Sequence, residues 1–456
     1  MEHLARMSQG EIQHSQQTSF SKLTCLEIKR CLGLRYLFCN SVAKCLTQLQ
    51  KLIIQDCPVM EAIVINEGSS NGDTISFSHL KELELSEVPR LRSFYGENKD
   101  AMVQPFAQCQ PQFNRMVEFP NLVKLDISSC REIKLESIDF SSQIKSLNIS
   151  CDNQIQLPSE WKPRLHNLET LILNGCWWHE LKSLQFPRLK VLRVCRYSGG
   201  SAFFTFSGFR SLQQLQQLEI LDCAFLEEIA EDDQKSGMNN KTITLSHLSR
   251  VVLKDLPKLK SIIHGANYGC GVPSLWKLEV DNCGLSNLFS FSELTSLKSL
   301  KISCCPHLEE IADDIRSDEV SRMNKKTIIL SQLKKVILED LPKLKNLIYS
   351  ANHECLLPNL YYVSVSDCGL SSLFIRNQNS AFDIPELRYF RLIGCPRAEN
   401  FTCLNTNTGM GYFDTDDHPK NRVPDLNDCI KRLFNEEDVS VPENQIELQM
   451  KSVVGH

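Results

Sequence analysis

The sequence predicts an α/β repeat fold: a leucine-rich-repeat solenoid of about fourteen repeats, with a curved parallel sheet on the concave face and an irregular or short-helical convex side. Three observations predict it. A nine-residue pattern of leucines ending in cysteine recurs along most of the chain, a longer duplication lies over it, and many of the cysteines fall at one place in the pattern. A short unit of this kind cannot bury its own apolar face, whereas stacked neighbours form a continuous core.

The pattern L-x-x-L-x-I-x-x-C first appears as Leu23, Leu26, Ile28 and Cys31. It returns from Leu49, Leu122, Leu168, Leu215, Leu275, Leu297, Leu360 and Leu387, closing on Cys57, Cys130, Cys176, Cys223, Cys283, Cys305, Cys368 and Cys395. Copies from Leu80, Leu189, Leu248 and Leu333 keep the apolar positions and change the ninth, and Ile144 heads one whose Cys151 is displaced by a residue. The fourth and sixth residues alternate with polar neighbours, the period-two signature of a short strand with one buried face. The third, fifth and seventh therefore point the other way, onto the concave side. At the ninth position the chain leaves the strand, and a small, weakly polar side chain can be buried there while still meeting turn backbone groups.

The longer duplication pairs CAFLEEIA (223–230) with CPHLEEIA (305–312), LKDLPKLK (253–260) with LEDLPKLK (338–345), and CGL (283–285) with CGL (368–370). The last two recur at one interval of 85 residues, so the array grew partly by copying a three-repeat block. Polar insertions at 66–74, 95–116, 231–241 and 313–326 read as surface loops. The expected organisation is a flexible segment over 1–19, the solenoid over 20–403 and a polar tail over 404–456. Within the tail, Leu426, Cys429, Ile430, Leu433 and Phe434 follow Asp425, a plausible N-cap, at helical spacing, which predicts a short amphipathic helix near 425–436.

Composition and charge narrow the function classes. With 42% hydrophobic and 23% charged residues the chain is a folded, soluble type, and its net charge of -5 offers no basic face for nucleic acid. Residues 1–19 are polar and lack the apolar core of a signal peptide, and no run is long enough to cross a bilayer. None of the 20 cysteines forms a C-x-x-C pair, so zinc and redox signatures are missing and reduced, structural thiols in cytoplasm or nucleus are expected.

The search for chemistry finds no P-loop. His179 and Glu180 lack a second histidine at zinc-protease spacing, and the calcium-loop hint at Asp414, Asp416 and His418 fails on Pro419 and Asp425. The acidic stretches Glu227–Asp233 and Glu309–Asp314 read as solvated edges, Cys304 and Cys305 as structural, and the sequon at Asn148 as accidental. The expectation is a protein-binding chain that is not an enzyme and takes no cofactor or metal. The candidate binding residues lie toward the C-terminal end of the array. Tyr362 and Tyr389 share the third position of adjacent strands, roughly 5 Å apart in a regular sheet. Tyr361 and Trp276 occupy the neighbouring second position, with Arg391, Lys301, Ile337 and Glu279 in the fifth column. Aromatics beside arginine are the usual composition of binding hot spots. The competing reading is that the rings cover the sheet beneath the C-terminal helix. Trp177 and Trp178, just after Cys176, are expected on the convex side.

The alternation of C-x-x-L-E-E-I with L-P-K-L resembles the leucine-rich-repeat region of plant coiled-coil NLR (NB-ARC-LRR) disease resistance proteins, over roughly residues 20–403. The resemblance implies recognition of a pathogen effector or a modified host protein, and restraint of a nucleotide-binding switch domain. No coiled-coil or nucleotide-binding segment accompanies the repeats, so ATP or ADP binding is not carried over. A substrate adaptor for ubiquitin ligation is the alternative, since cysteine-type repeats also occur in F-box proteins, and the missing F-box counts against it.

Overall fold

The computed structural model describes residues 20–66, 75–97, 117–177, 182, 184–231, 241–263, 268–286, 294–309, 311, 328–348, 355–370, 372–376, 386–397 and 400–404. It comprises two compact units, 1–199 and 200–456. In the first, seven repeat strands pair in parallel and in chain order: β1 (Cys25–Lys29), β2 (Lys51–Gln55), β3 (Glu82–Ser86), β4 (Lys124–Ser128), β5 (Ser146–Gln156), β6 (Thr170–Trp177) and β7 (Val191–Cys195). The second repeats the arrangement with β8 (Gln217–Leu221), β9 (Arg250–Leu256), β10 (Lys277–Cys283), β11 (Ser299–Ser303), β12 (Lys335–Leu341), β13 (Tyr362–Cys368) and β14 (Tyr389–Ile393). Each unit is thus a leucine-rich-repeat array, as the nine-residue pattern predicts.

Pairing is position for position. Leu26 lies opposite Leu52, which lies opposite Leu83, and in the second unit Leu300, Val336, Val363 and Phe390 form one continuous row. This register puts every fourth- and sixth-position side chain on one face, and a slip of one residue would turn that whole set to water. The rows are buried from β2 onward, with Leu52, Leu83, Leu125 and Leu300 at 1% exposure or less, whereas Leu26 on the first strand is half-buried.

Three local devices carry the chain from strand to strand. In most repeats an apolar residue three places before the repeat leucine accepts that leucine's N–H, as Phe119 does for Leu122, Leu245 for Leu248 and Leu330 for Leu333. The eighth residue adopts a left-handed conformation in thirteen repeats, from Arg30 to Gly394. That bend lets Asp56 donate its N–H to the Ser86 carbonyl and Cys304 to that of Glu339, tying each turn to the next strand. The ninth-position cysteine then turns back across the bend. The thiols of Cys223, Cys283, Cys305 and Cys368 each donate to the seventh-position carbonyl at 3.2 Å. Burial pushes the Cys130 and Cys176 thiols up to about 12, so they stay protonated donors. The exception is the repeat headed by Ile144, where Cys151 lies inside the long β5 and the pairing with β6 shifts register between Ser150 and Ile155.

Behind the repeat sheet, most described return segments are short parallel strands rather than helices. Tyr36–Cys39, Ala62–Asn66 and Ser93–Glu97 form one such ladder, and Ala202–Thr205, Glu228–Glu231 and Ser261–Ile263 another. Among the described residues two short α-helices, α1 (Asn40–Cys45) and α2 (Phe206–Arg210), and two 3-10 helices, Leu135–Ser137 and Ser159–Arg164, interrupt the pattern. Aromatic side chains fill the wide spacings: Phe77, Phe94 and Phe119 meet in one cluster, and Phe140 packs on Trp161 at 4.9 Å between ring centres.

Candidate functional site

The outward positions of β8–β14 define the candidate surface of the second unit. Because the register is position for position, Tyr362 on β13 stands directly beside Tyr389 on β14. Their rings stack with centres 4.4 Å apart and planes 6° from parallel. The Lys335 ammonium, at the same position on β12, lies 4.6 Å from the centre of the Tyr362 ring. A cation over a ring face adds electrostatic attraction to the stacked pair. Burial and the adjoining Tyr389 hold the Tyr362 phenol above its usual pKa, so it remains a neutral hydrogen-bonding group. Arg391, two residues along β14, lies opposite Ser364.

Tyr361 stands at the second position of the same repeat and is 43% exposed. With Lys334, Asn359, Glu386 and Arg388 it lines a shallow recess of about 340 Å³ at the N-terminal ends of β12–β14. Arg388 pairs with Glu386 at 3.2 Å. Trp276 is equally exposed but sits at the head of β10, three strands from Tyr361, so the two aromatics do not form one cluster. Ile337 is half-buried between Lys301 and Ser364, and Lys301 lies 4.0 Å from Glu339. The sequence reading of the site passed over Lys335, Lys334 and Arg388. The signal was present at the second and third repeat positions, which the fifth-column reading does not include.

Glu279 is differently placed. Lys254 at 2.6 Å and Lys277 at 3.5 Å flank it. Burial raises its pKa, but the two ammonium groups outweigh that and hold the carboxylate below its ordinary range. Arg250 similarly neutralises Glu219 at 3.1 Å. Charges on β8–β10 are therefore largely satisfied within the sheet.

The remaining motifs resolve into structure. Glu227 and Glu309, from the duplicated C-x-x-L-E-E-I segments, bind Lys260 at 2.6 Å and Lys345 at 2.8 Å, from the L-P-K-L-K segments of the following repeats. Backbone bonds run in parallel, with Lys260 N–H donating to Glu227 and Lys345 N–H to Glu309. The two duplicated motifs are halves of one inter-repeat clasp. Cys305 is buried and Cys304 exposed at the left-handed eighth position, so they hold unlike places and both are free thiols. Asn148 is engaged within the sheet, donating to Asp126 at 3.0 Å and accepting from Ser150. Among the described residues no three His, Cys, Asp or Glu side chains group as metal ligands, and no helix is long and apolar enough to cross a membrane. His179, Glu180, Trp178, Asp414, Asp416, His418 and the helix expected near 425–436 lie outside the described residues.

Comparison with known proteins gives one family match: the family model for plant disease resistance protein RPS2-like leucine-rich repeats aligns with residues 1–138, 172–298 and 290–395. No curated protein matches the sequence. Among solved structures, a leucine-rich-repeat protein of Leptospira interrogans shares 14% identity over 92% of this chain and 97% of its own, with a TM-score of 0.32. YopM from Yersinia enterocolitica shares 17% over 88% and 85%, with a TM-score of 0.33. The plant peptide hormone receptor RGFR1, solved in complex with RGF2, shares 13% over 87% and 78%, with a TM-score of 0.25.

Proposed function

This chain belongs to the plant disease resistance protein RPS2-like leucine-rich-repeat family, and from that premise we propose that it is a protein-recognition module of plant innate immunity. Leucine-rich repeats of this family are protein-interaction scaffolds, so its partners are proteins. In this reading it binds a pathogen effector or a modified host protein, or contacts an NLR switch domain, and works in the cytoplasm or nucleus. The observation that carries the reading is the stacked Tyr362–Tyr389 pair beneath Lys335, set on a rigid sheet at the outward third position. Aromatic groups held this way present contact area at little entropic cost, which is what binding hot spots require. The family match supports the immune context, and the row of reduced thiols supports a compartment that keeps cysteines reduced.

The test is a paired measurement on Tyr362→Ala with Tyr389→Ala. Binding of plant proteins captured by the full chain should weaken about tenfold or more, while a cooperative unfolding transition is retained. Loss of folding would instead assign the rings to the scaffold. Capture of ubiquitin-ligase scaffold subunits, without immune-receptor partners, would sink the immune reading in favour of a substrate adaptor.

A further inference from the structure

We propose that the N-terminal half of β11–β14 docks an acidic segment of a partner protein, one that carries an aromatic or aliphatic side chain among its carboxylates. The inference rests on the recognition reading above and adds the chemistry of the partner. The second, third and fifth positions of these four strands hold six cations, Lys298, Lys301, Lys334, Lys335, Arg388 and Arg391, and no carboxylate. Tyr361, Tyr362 and Tyr389 lie among them. Among the described residues, no carboxylate pairs with Lys298 or Lys334, Lys301 reaches Glu339 only at 4.0 Å, and Arg388 is met by Glu386 at 3.2 Å just ahead of β14. This separates the patch from β8–β10, where Arg250 and Lys277 are spent on Glu219 and Glu279.

The opposite ends of the strands carry the opposite sign. Glu339 and Asp340 close β12, and Asp367 follows the outward positions of β13. The sheet face is thus polarised across its width, positive where the strands begin and negative where they end. With strands spaced about 4.8 Å apart, four of them give a positive zone of about 14 Å, the length of four or five extended residues. A short acidic segment crossing the strand starts fits that zone, with its apolar side chain over the tyrosine pair. A long polyanion such as nucleic acid would run on to Glu279, Glu339 and Asp367, where like charge repels it.

The test uses the full chain and three labelled probes read by fluorescence anisotropy: a peptide of about ten residues alternating Asp or Glu with Leu or Phe, its Lys-containing twin, and a single-stranded oligonucleotide. The acidic peptide should bind, and its affinity should fall several-fold between about 50 and 200 mM salt. Lys334→Glu with Arg388→Glu should weaken it about tenfold or more, and Lys81→Glu in the first unit should leave it unchanged. Both substituted side chains are exposed; a circular dichroism melt checks folding, and Lys298→Glu serves as a second variant. Equal binding of the Lys twin, tighter binding of the oligonucleotide, or an unchanged affinity in the double variant would each overturn the proposal. If the acidic peptide does not bind while Tyr362→Ala with Tyr389→Ala still abolishes protein capture, the acidic-partner inference falls and the recognition reading stands.

Discussion

Asp126 and Glu279 hold the same fifth position in different surroundings, and their acidities move in opposite directions. Burial raises the Asp126 pKa above its ordinary value, with Asn148 offsetting part of the effect and Glu84 adding to it. The folded state therefore binds the proton more readily than the unfolded chain, and the ionised group weakens folding once pH rises through its folded pKa. Asp126→Asn, which still accepts from Asn148, should stabilise the protein at neutral pH, and its advantage over wild type should shrink as pH falls. Glu279 obeys the converse sign. Lys254 and Lys277 depress its folded pKa, so its contribution is present above the unfolded pKa and is lost as pH falls through the folded one. Glu279→Gln should destabilise by about 1 kcal/mol at neutral pH, with the gap closing in acid. Urea melts of both variants across pH decide the matter: variants lying on the same side of wild type at neutral pH, or gaps that do not close in acid, would refute the assignment. Glu279 was a candidate binding residue on sequence grounds. Its repeat position was legible, but the two lysines that occupy it come from a neighbouring strand and its own, and only cross-strand side-chain geometry reveals them.

At the scale of the repeat, the duplicated CGL segments have a physical reason. Gly284 and Gly369 each follow a ninth-position cysteine and donate their N–H to Leu256 and Leu341 of the preceding repeat. A Cβ at Gly369 would land on the Pro342 carbonyl, and one at Gly284 on that of Pro257. Gly369→Ala should therefore lower stability by about 2 kcal/mol or more through backbone displacement. Gly271→Ala, whose Cβ would only approach the Thr244 side chain at 3.3 Å, should be mild by comparison. Equal denaturant midpoints for the two variants would show that the Leu-Pro turn moves freely. All fourteen strands were legible from the leucine pattern, because period-two burial and a shared register leave little else to decide. The left-handed eighth residue was not, since Arg30, Glu87, Ser129 and Cys304 share no side-chain type, although Asp222, Asp255, Asn282, Asp340 and Asp367 carried a usable hint. Nor was the clasp between Glu227 and Lys260, which lie 33 residues apart in sequence. The return segments read as irregular because strands of three to five residues, as at Tyr36–Cys39 or Ser261–Ile263, carry too short a period to detect.

At the scale of the molecule, a chain of net charge -5 concentrates cations on one stretch of one unit. Elsewhere many outward charges are paired among the described residues, as with Lys51 and Glu82 at 2.9 Å or Lys190 and Glu169 at 2.7 Å in the first unit. Exposed pairs of this kind contribute little to stability, and their main effect is to leave most of each sheet electrically quiet. The stacked tyrosines were legible as a juxtaposition because adjacent third positions must lie side by side in a parallel ladder. The lysine above them and the basic strand starts were not, because at the second and third positions the aromatic residues stood out and the cations among them resemble an ordinary solvated face. The most direct test of the account compares protein capture from plant tissue by wild type, by Tyr362→Ala with Tyr389→Ala, and by Lys81→Glu, with unfolding followed in parallel. The account predicts that partners held by wild type and by Lys81→Glu are lost from the double tyrosine variant, which still unfolds cooperatively. Equal recovery by all three folded proteins would contradict it.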